Sequence, residues 1–175
     1  MLVLQYLSLK LSMFIREATV NDVETIRHIA NETWLPAYGA ILSKEQLAYM
    51  LAEIYATDKI TSQIINNEQT YLLLFEGDDP VAFAAYSPRE EKADVYKLHK
   101  LYCLPSTQGK GYGKQLIDKV CADVLAAGKT ILELNVNRYN NAKYFYEKLG
   151  FVVVNEEDIP IGPYYMNDYV MRKQL

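Results

Sequence analysis

The six residues Gln108-Gly109-Lys110-Gly111-Tyr112-Gly113 have the composition of a loop that binds an anion. They lie between an apolar strand pattern over residues 98–104 and a helical pattern that begins at Lys114. Backbone N–H groups at the start of a helix are unpaired and, with the positive end of the helix dipole, bind phosphate oxygens. Glycines let the chain approach such an anion closely, and Lys110 and Lys114 add positive charge beside it. The sequence therefore predicts a cradle for a diphosphate.

The spacing of these glycines differs from that of two common nucleotide-binding loops. A dinucleotide fold requires Gly-x-Gly-x-x-Gly, and an NTPase requires Gly-x-x-x-x-Gly-Lys followed by Ser or Thr. Here the pattern is Gln-x-x-Gly-x-Gly, and Lys114 and Gln115 follow Gly113, so no hydroxyl is placed to hold Mg²⁺. The pattern resembles the pyrophosphate loop of the GNAT superfamily, the acetyl-CoA-dependent N-acetyltransferases. A glycine-rich turn that binds no ligand is the alternative interpretation.

A second motif lies downstream of a strand pattern over residues 130–137. Residues 139–151 resemble the GNAT segment Asn-x-Ala-x-x-Phe-Tyr-x-x-x-Gly-Phe, and the matching residues are Asn140, Ala142, Phe145, Tyr146, Gly150 and Phe151. The resemblance implies that Tyr146 protonates the thiolate of CoA and that Asn140 hydrogen-bonds the pantetheine. A helix cap is an equally good interpretation of Asn140, and Phe145 is expected in the core.

Amide formation from a thioester defines what else the site must hold. An alkylamine has a pKa of ~10.4 and must lose a proton, and the thioester oxygen needs an N–H donor as negative charge develops on it. By the resemblance, that donor is a main-chain N–H of the strand that carries Leu101, Tyr102 and Cys103, where we expect a bulge to expose the backbone. Cys103 as an acyl nucleophile is the disfavoured alternative, because GNAT enzymes generally use direct attack in a ternary complex.

Two side chains are candidates for the base that deprotonates the amine. His99 lies on the cofactor strand and could relay a proton through water, although a structural histidine is at least as common. Glu133 lies on the neighbouring strand, where Leu132 and Leu134 point to the opposite face. Glu133 is a candidate base or pocket carboxylate, and a solvent-facing strand residue is the simpler alternative.

Two segments outside these motifs are expected to bind the amine that accepts the acetyl group. Residues 33–43 are expected to line the cleft opposite the cofactor, with Trp34 and Tyr38 as candidate walls. Residues 158–169 place aromatic rings beside carboxylates, a combination that suits a cationic amine. Residues 38–47 and 162–171, which overlap these segments, resemble the bacterial Pai-type spermidine/spermine acetyltransferases, which implies a polyamine acceptor. The alternative is that these tyrosines complete the core, since the chain contains 15 of them.

The elements that must position these groups alternate as one mixed α+β domain. From Met13 the predicted order is β-α-α-β-β-β-α-β-α-β-β, with a third short helix over residues 58–66 before the second strand. Residues 43–46 form a capping box at a helix start, and the turn cluster over residues 76–80 predicts a hairpin. This order matches the GNAT fold, which implies a central mixed, mostly antiparallel sheet with helices on both faces. The sheet is expected to splay into a V between the strands at 98–104 and 130–136.

Composition places the chain among compact enzymes that bind small molecules. Its 175 residues predict a single domain over 13–175, half of the residues are apolar, and the net charge is −4. The acidic balance argues against a nucleic-acid partner and suits a small cationic amine. Cys103 and Cys121 lie in apolar patterns and are expected to be buried thiols of a cytoplasmic protein. The histidines are His28 and His99, no metal-ligand spacing occurs, and we expect no metal cofactor.

Residues 1–12 form an apolar extension ahead of the first strand. They lack the basic region and the cleavage site of a signal peptide, and a membrane span takes ~20 residues, so no membrane partner is expected. The extension is interpreted either as the product of an upstream start codon or as an element that packs on the domain or on a second copy.

These observations predict an enzyme that moves the acetyl group of acetyl-CoA to a primary amine, with small polyamines favoured. Acetylation of a protein N-terminus or lysine is a second hypothesis, and a non-catalytic acetyl-CoA sensor is a third. The presence of Tyr146 argues against the sensor. The resemblance also implies that a homodimer through the last strands is possible.

Overall fold

The computed structural model describes residues 12–175, so the predicted N-terminal extension lies outside the described residues except for Ser12. The strands are β1 (Met13–Glu17), β2 (Thr70–Glu76), β3 (Asp79–Pro88), β4 (Val95–Cys103), β5 (Ile131–Asn137), β6 (Val152–Ile161) and β7 (Tyr164–Gln174). The helices are α1 (Val23–Tyr38), α2 (Lys44–Ile54), α3 (Thr57–Ile65), α4 (Tyr112–Ala126) and α5 (Ala142–Lys148). Short 3₁₀ turns cover Val20–Asp22 and Pro105–Thr107.

The seven strands of residues 12–175 form one sheet in the order β1-β2-β3-β4-β5-β7-β6. Neighbouring strands are antiparallel except for β4 and β5, which are parallel. Parallel neighbours need a crossover connection, and α4 supplies it here. The predicted mixed, mostly antiparallel sheet is therefore confirmed.

The sheet opens between β4 and β5. These strands are aligned only from Val95 with Ile131 to Leu98 with Leu134. Beyond that point β4 continues along β3 and β5 continues along β7, so the two halves of the sheet separate. The V-shaped splay is where the sequence predicts it, and the facing backbone edges lose their sheet partners.

A bulge lies at His99 on β4. Leu98 is aligned with Tyr86 and Lys100 with Ala85, so His99 has no partner residue on β3. We expected the bulge within residues 101–104, and the structure corrects its position. An extra residue bends a strand and increases its twist. The bulge therefore turns β4 at the point where it parts from β5.

Two apolar cores lie on opposite faces of the sheet. On one face α4 packs through Leu116 and Val120 against strand residues that include Leu134. On the other face α1 packs through Ile26 and Ile29 with helices α2 and α3. Successive residues of a strand project to opposite faces of the sheet, so the continuous apolar runs of β2 and β3 contribute to both cores.

The predicted helix starts are visible in local hydrogen bonds. Ser43 Oγ accepts a hydrogen bond from the backbone N–H of Gln46 at 3.1 Å, which caps α2. Helix α1 includes Pro36 near its end, and the Gly39 N–H closes its last turn on the Leu35 carbonyl at 2.8 Å. No helix within residues 12–175 has the length and apolar character needed to cross a membrane.

Candidate active site

The parting of β4 and β5 opens a cavity of about 750 Å³, a size typical of sites for small molecules and cofactors. Helix α1 and the turn after it form one wall, and α4 and α5 border the other side. The predicted site residues that line it are Tyr38, His99, Leu101, Tyr102, Cys103, Gln108, Gly109, Gly111, Tyr112, Gly113, Lys114, Asn140 and Tyr146. Trp34, Lys110 and Glu133 are not in the lining.

The glycine loop adopts the conformation that an anion cradle needs. Gly109 and Gly111 have φ values of 81° and 80°, in the left-handed region that favours glycine. Helix α4 has no side-chain cap, and its first backbone hydrogen bond runs from the Gln115 N–H to the Gly111 carbonyl at 3.1 Å. The N–H groups of residues 112–114 therefore have no helix partner and are available to an anion.

The two lysines of the cradle are engaged by carboxylates. Lys110 Nζ donates to both carboxylate oxygens of Glu76 at 2.8 Å, and this pairing raises the pKa of Lys110. Lys114 Nζ donates to Asp118 one turn along α4. Backbone N–H groups are thus the donors that face the cavity, and the lysines lie beside them.

The edge of β4 offers further backbone donors. The Leu104 N–H donates to the Val81 carbonyl on the β3 side at 2.9 Å. Because donor direction alternates along an antiparallel strand, the N–H groups of Leu101 and Cys103 point to the opposite side. That side is the opening left by β5. The two groups are placed to stabilise negative charge on an oxygen in the cleft.

Tyr146 lies in α5 with its ring between Phe145 and Phe151. The ring centroids are 5.2 Å and 5.7 Å apart, and only 9% of the residue is exposed. Burial raises the pKa of the Tyr146 phenol above its usual value of 10.0. The hydroxyl is protonated at pH 7, as a proton donor requires, and burial makes it a weaker acid than a free tyrosine.

Asn140 precedes α5 and has a visible structural role. Its Oδ1 accepts a hydrogen bond from the Ala142 N–H at 2.9 Å, which orders the helix start. Asn140 also lines the cavity. The geometry therefore agrees with the cap interpretation and leaves the residue beside the ligand space.

The thiol of Cys103 faces the cavity but is a weak nucleophile. Burial raises its pKa from 9.0 to about 11. A thiol with this pKa stays protonated at pH 7, and the thiolate is the nucleophilic form. The geometry does not favour an acyl-cysteine route.

His99 borders the cleft from the bulge in β4. Its Nε2 lies 2.8 Å from Ser87 Oγ. Desolvation by the surrounding protein and, to a smaller extent, the positive charges of Lys100, Lys97 and Arg89 together lower the pKa of the imidazole to about 3. His99 is therefore neutral at pH 7. Such a ring can pass a proton along a hydrogen-bonded path but does not retain it.

Glu133 lies at the centre of an ion-pair cluster away from the cleft. Its side chain is fully buried and pairs with Arg89, with Arg172 at 2.7 Å and with Lys92 at 3.4 Å. Burial by itself would raise the pKa of Glu133, but the three cations together hold it below the usual value of 4.5. The interpretation as a solvent-facing residue is wrong, and this carboxylate is poorly suited to be the base.

Tyr38 and Trp34 both lie on α1 but differ in how deeply they are buried. Tyr38 lines the cavity, and its hydroxyl lies 3.3 Å from the hydroxyl of Tyr102. Trp34, one turn earlier, is buried with its ring centroid 4.9 Å from that of Tyr38. Its Nε1 donates to the Tyr55 hydroxyl at 3.3 Å. Trp34 therefore supports Tyr38 from the core and is not itself a wall of the cleft.

Two polar residues near the cleft are not singled out by the sequence, although Asp168 belongs to the 158–169 segment whose carboxylates are expected to suit a cationic amine. Asn135 on β5 lines the cavity, and Asp168 on β7 is 6% exposed. In the part of the chain that the structure describes, Oδ1 of each is buried without a hydrogen-bond partner. A signal existed, because Asp168 falls at an alternating position between the buried residues Met166 and Val170.

Comparison with known proteins agrees with this geometry. A family model described as the acetyltransferase (GNAT) domain matches residues 40–162. The chain is 29% identical to spermidine N(1)-acetyltransferase of Thermoplasma acidophilum, over 94% of this chain and 98% of that protein. It is 32% identical to [ribosomal protein bS18]-alanine N-acetyltransferase of Haemophilus influenzae, over 66% of this chain and 73% of that protein.

A solved structure has the same architecture. The crystal structure of PaiA N-acetyltransferase from Thermoplasma acidophilum in complex with coenzyme A matches with a TM-score of 0.80. The sequences are 27% identical, and the match covers 94% of this chain and 99% of that one. The match of the family model to most of the chain, together with this fold, shows that the protein belongs to the GNAT family of N-acetyltransferases.

Proposed function

We propose that this protein transfers the acetyl group of acetyl-CoA to a primary amine of a polyamine such as spermidine. The observation that carries the proposal is that one cleft holds the glycine cradle, the open edge of β4 and the phenol of Tyr146. The similarity to a spermidine acetyltransferase supports the choice of polyamine. The acidic net charge of −4 favours a cationic acceptor.

The residues of the cleft fit the cofactor. The N–H groups of residues 112–114 would hold the pyrophosphate, and a Cβ placed at Gly109 or Gly111 would meet no heavy atom within 4 Å, so the loop leaves open space. The edges of β4 and β5 would flank the pantetheine, with Asn140 beside it. When bound, acetyl-CoA supplies an acetyl group activated as a thioester.

The chain supplies the charge stabilisation and the proton. As the amine nitrogen attacks the acetyl carbon and the carbon–sulfur bond breaks, the N–H groups of Leu101 and Cys103 stabilise the negative charge on the acetyl oxygen. Tyr146 gives its proton to the departing sulfur. The nitrogen loses one proton before the attack and a second as the amide forms, the sulfur gains one from Tyr146, and Tyr146 regains a proton from water. The ammonium and acetyl-CoA thus give the amide, the CoA thiol and one proton.

The proton of the amine leaves along the side of the cleft bordered by His99. Because His99 is neutral and its Nε2 is 2.8 Å from Ser87 Oγ, the pair can pass a proton to water. Glu133 takes no part in this proton transfer, since its carboxylate is buried and paired with three cations. We therefore assign His99 to proton relay and Glu133 to stability.

A second candidate function is acetylation of a protein N-terminus. It is favoured by the 32% identity to the bS18-alanine N-acetyltransferase, a level similar to that of the spermidine relative but over less of the chain. A peptide would have to lie across the mouth of the cleft beside the turn that follows α1. Activity on peptides with a free N-terminal alanine distinguishes the two functions.

The test is the rate of CoA-thiol release from acetyl-CoA with spermidine, spermine, putrescine, an aminoglycoside and an alanine-initiated peptide. We expect saturable turnover with the polyamines. Their kcat/KM should exceed that of the peptide at least about tenfold, which corresponds to a difference of ~1.4 kcal/mol in activation free energy. A higher kcat/KM for the peptide would replace the polyamine proposal with the second candidate. Absence of turnover on every amine would contradict both.

A further inference from the structure

Two buried oxygens near the cleft lack partners. Asn135 Oδ1 and Asp168 Oδ1 each have no hydrogen bond within residues 12–175. Buried polar atoms are nearly always paired, so an unpaired acceptor in a native fold needs an explanation. The third such atom within residues 12–175, Arg138 Nε, is a donor, but it forms no hydrogen bond with either oxygen. The two unpaired acceptors near a ligand cavity can therefore accept from a donor outside the chain.

The strand register places the two residues on the same face of the sheet. Asp168 is aligned with Asn137 on β5, and aligned residues of neighbouring strands project to the same side. Asn135 precedes Asn137 by two residues and shares that side. Asp168 is also aligned with Glu157 on β6, and the Nδ2 of Asn135 donates to Glu157 Oε2 at 3.2 Å. Asn135, Asp168 and Glu157 thus form a cluster of acceptors, which we call the acceptor cluster.

The acceptor cluster reaches the cleft through Asn135, whereas Asp168 and Glu157 are not part of the cavity lining. Asn135 is part of the cavity lining, as is Tyr38 on the opposite wall. Burial and, to a smaller extent, the charge of Asp168 raise the pKa of the Tyr38 hydroxyl, so the two side chains lie within electrostatic range of each other. The cluster is on the face of the sheet that α1 covers, whereas the cradle helix α4 packs on the other face.

No cation within residues 12–175 forms an ion pair with Asp168. The charged groups that surround it are Lys97 on β4, Arg138 after β5, and Glu157 and Asp158 on β6. Both terminal nitrogens of Arg138 are engaged by carboxylates of β6. Lys97 lies beyond ion-pair distance from Asp168 in the described chain, so this buried carboxylate has no cationic partner there.

We propose that Asp168 and Asn135 form an ammonium subsite that holds the second, non-reacting nitrogen of a polyamine. The reacting nitrogen must be neutral, and a carboxylate beside it would stabilise its protonated form and slow the attack. A nitrogen that stays protonated throughout the reaction is instead bound more tightly when a carboxylate lies beside it. This inference rests on the proposed function, because it needs an acceptor with two amino groups.

The test compares putrescine with butylamine, which has the same carbon chain and one amino group. In the full-length protein, Asp168→Asn should raise the KM for putrescine about 10- to 100-fold, the range expected for a lost charge-assisted hydrogen bond. The KM for butylamine and the kcat for both amines should change less than about twofold, the scale of ~0.4 kcal/mol. Asn135→Ser should raise the KM for putrescine in the same direction and by a smaller factor.

Glu53→Gln is the charge control. Glu53 is exposed on α2, forms no ion pair within residues 12–175 and is not part of the cavity lining, so the substitution removes the same charge away from the acceptor cluster. Its KM for putrescine should equal that of the unmodified protein. Affinity for acetyl-CoA and the unfolding transition show whether each variant is folded.

Calorimetric titration with putrescine separates failure of the subsite from failure of the proposed function. Turnover with an unchanged putrescine KM in Asp168→Asn overturns the subsite and leaves the function intact. Equal loss of kcat on both amines also overturns it, since Asp168 would then act on the reacting nitrogen. Putrescine binding that depends on Asp168, without turnover, supports the subsite and contradicts the acetyltransferase proposal. Binding that is absent or independent of Asp168, without turnover, contradicts both.

Discussion

Gly113 at the start of α4 lies against the ring of Phe145 in α5. A Cβ built on Gly113 would be 3.2 Å from Phe145 Cζ and 3.8 Å from the sulfur of Cys103. Because Phe145 directly precedes Tyr146, this contact joins the helix of the cradle to the helix of the proposed proton donor. Glycine at 113 thus fixes the spacing between the backbone N–H groups at the start of α4 and the phenol of Tyr146.

The left-handed conformation of Gly111 leads to a prediction about cofactor affinity. Gly111→Ala should weaken acetyl-CoA binding about 5- to 30-fold, since an L-residue at a φ of 80° is strained by roughly 1–2 kcal/mol and the N–H groups after it would shift. Calorimetric titration with acetyl-CoA measures the change. Gly128→Ala is the control, because Gly128 has a φ of 72° at the other end of α4. A similar loss of acetyl-CoA affinity in the control would contradict the role of the cradle.

Tyr146 should affect the chemical step and leave binding intact. Tyr146→Phe removes only the hydroxyl, so we expect kcat to fall about 10²-fold, within the range for general acid catalysis, with the KM for acetyl-CoA nearly unchanged. Steady-state kinetics with spermidine test this. Tyr144→Phe in the same helix is the control, because Tyr144 is 61% exposed. Equal rates in the two variants would show that Tyr146 is not the proton donor.

Glu133 should affect stability and leave catalysis intact. Glu133→Gln would leave three cations without their buried partner, and we expect a loss of about 3 kcal/mol in the free energy of unfolding at pH 7. Because the pKa of Glu133 is lowered in the fold, its contribution is present above the ordinary value of 4.5 and is lost as pH falls through the lowered pKa. Urea denaturation at pH 7 and pH 3 measures the difference.

The control for Glu133 is Glu147→Gln, which breaks a pair with Lys143 on the surface of α5. Such a pair contributes about 0.5 kcal/mol or less. The kcat/KM of folded Glu133→Gln should stay within about twofold of the original, a difference of ~0.4 kcal/mol. A large fall in kcat with unchanged stability would instead restore Glu133 as a candidate base.

In contrast to Glu133, the ionised carboxylate of Asp168 should lower the free energy of unfolding at neutral pH. Burial raises its pKa from 3.8 to about 6, so the folded state retains a proton that the unfolded chain has already lost. Stability from this group is full below pH 3.8 and falls as pH rises to 6 and above. Asp168→Asn should therefore be more stable than the unmodified protein at pH 8, by about 2–3 kcal/mol for a shift of this size.

The stability gain of Asp168→Asn should shrink towards zero near pH 4, where the carboxyl is protonated. Denaturant unfolding at the two pH values provides the comparison. The charges of Lys97, Arg138, Glu157 and Asp158 remain in both proteins. A gain that does not depend on pH would mean that Asp168 is not an unpaired carboxylate.

Local features of the site could be predicted from the sequence. The cradle follows from glycine spacing at a strand-to-helix junction, and positive φ values are found at Gly109 and Gly111. The hydrophobic periodicity gives the elements and their order, and the resemblance correctly gives the splay of the sheet. These predictions depend on residues that are close together in the sequence.

Long-range features could not be predicted in the same way. The burial of Glu133 depends on Arg89 and Arg172, which come from other parts of the chain. The depth of Trp34 depends on Tyr55 and Tyr102 packing against it. The position of the bulge at His99 depends on the register with β3. Each is set by tertiary packing, which spacing along the sequence does not encode directly.

The proposed reaction of this cleft is the formation of an amide on a polyamine nitrogen. The most direct measurement follows acetyl-CoA labelled with carbon-13 in the acetyl group by NMR, in the presence of spermidine and the protein. We predict that the label moves to an amide of spermidine, and that the transfer slows in Tyr146→Phe but not in Tyr144→Phe. A label that stays on CoA, or that moves to the protein while spermidine remains unmodified, would contradict this account.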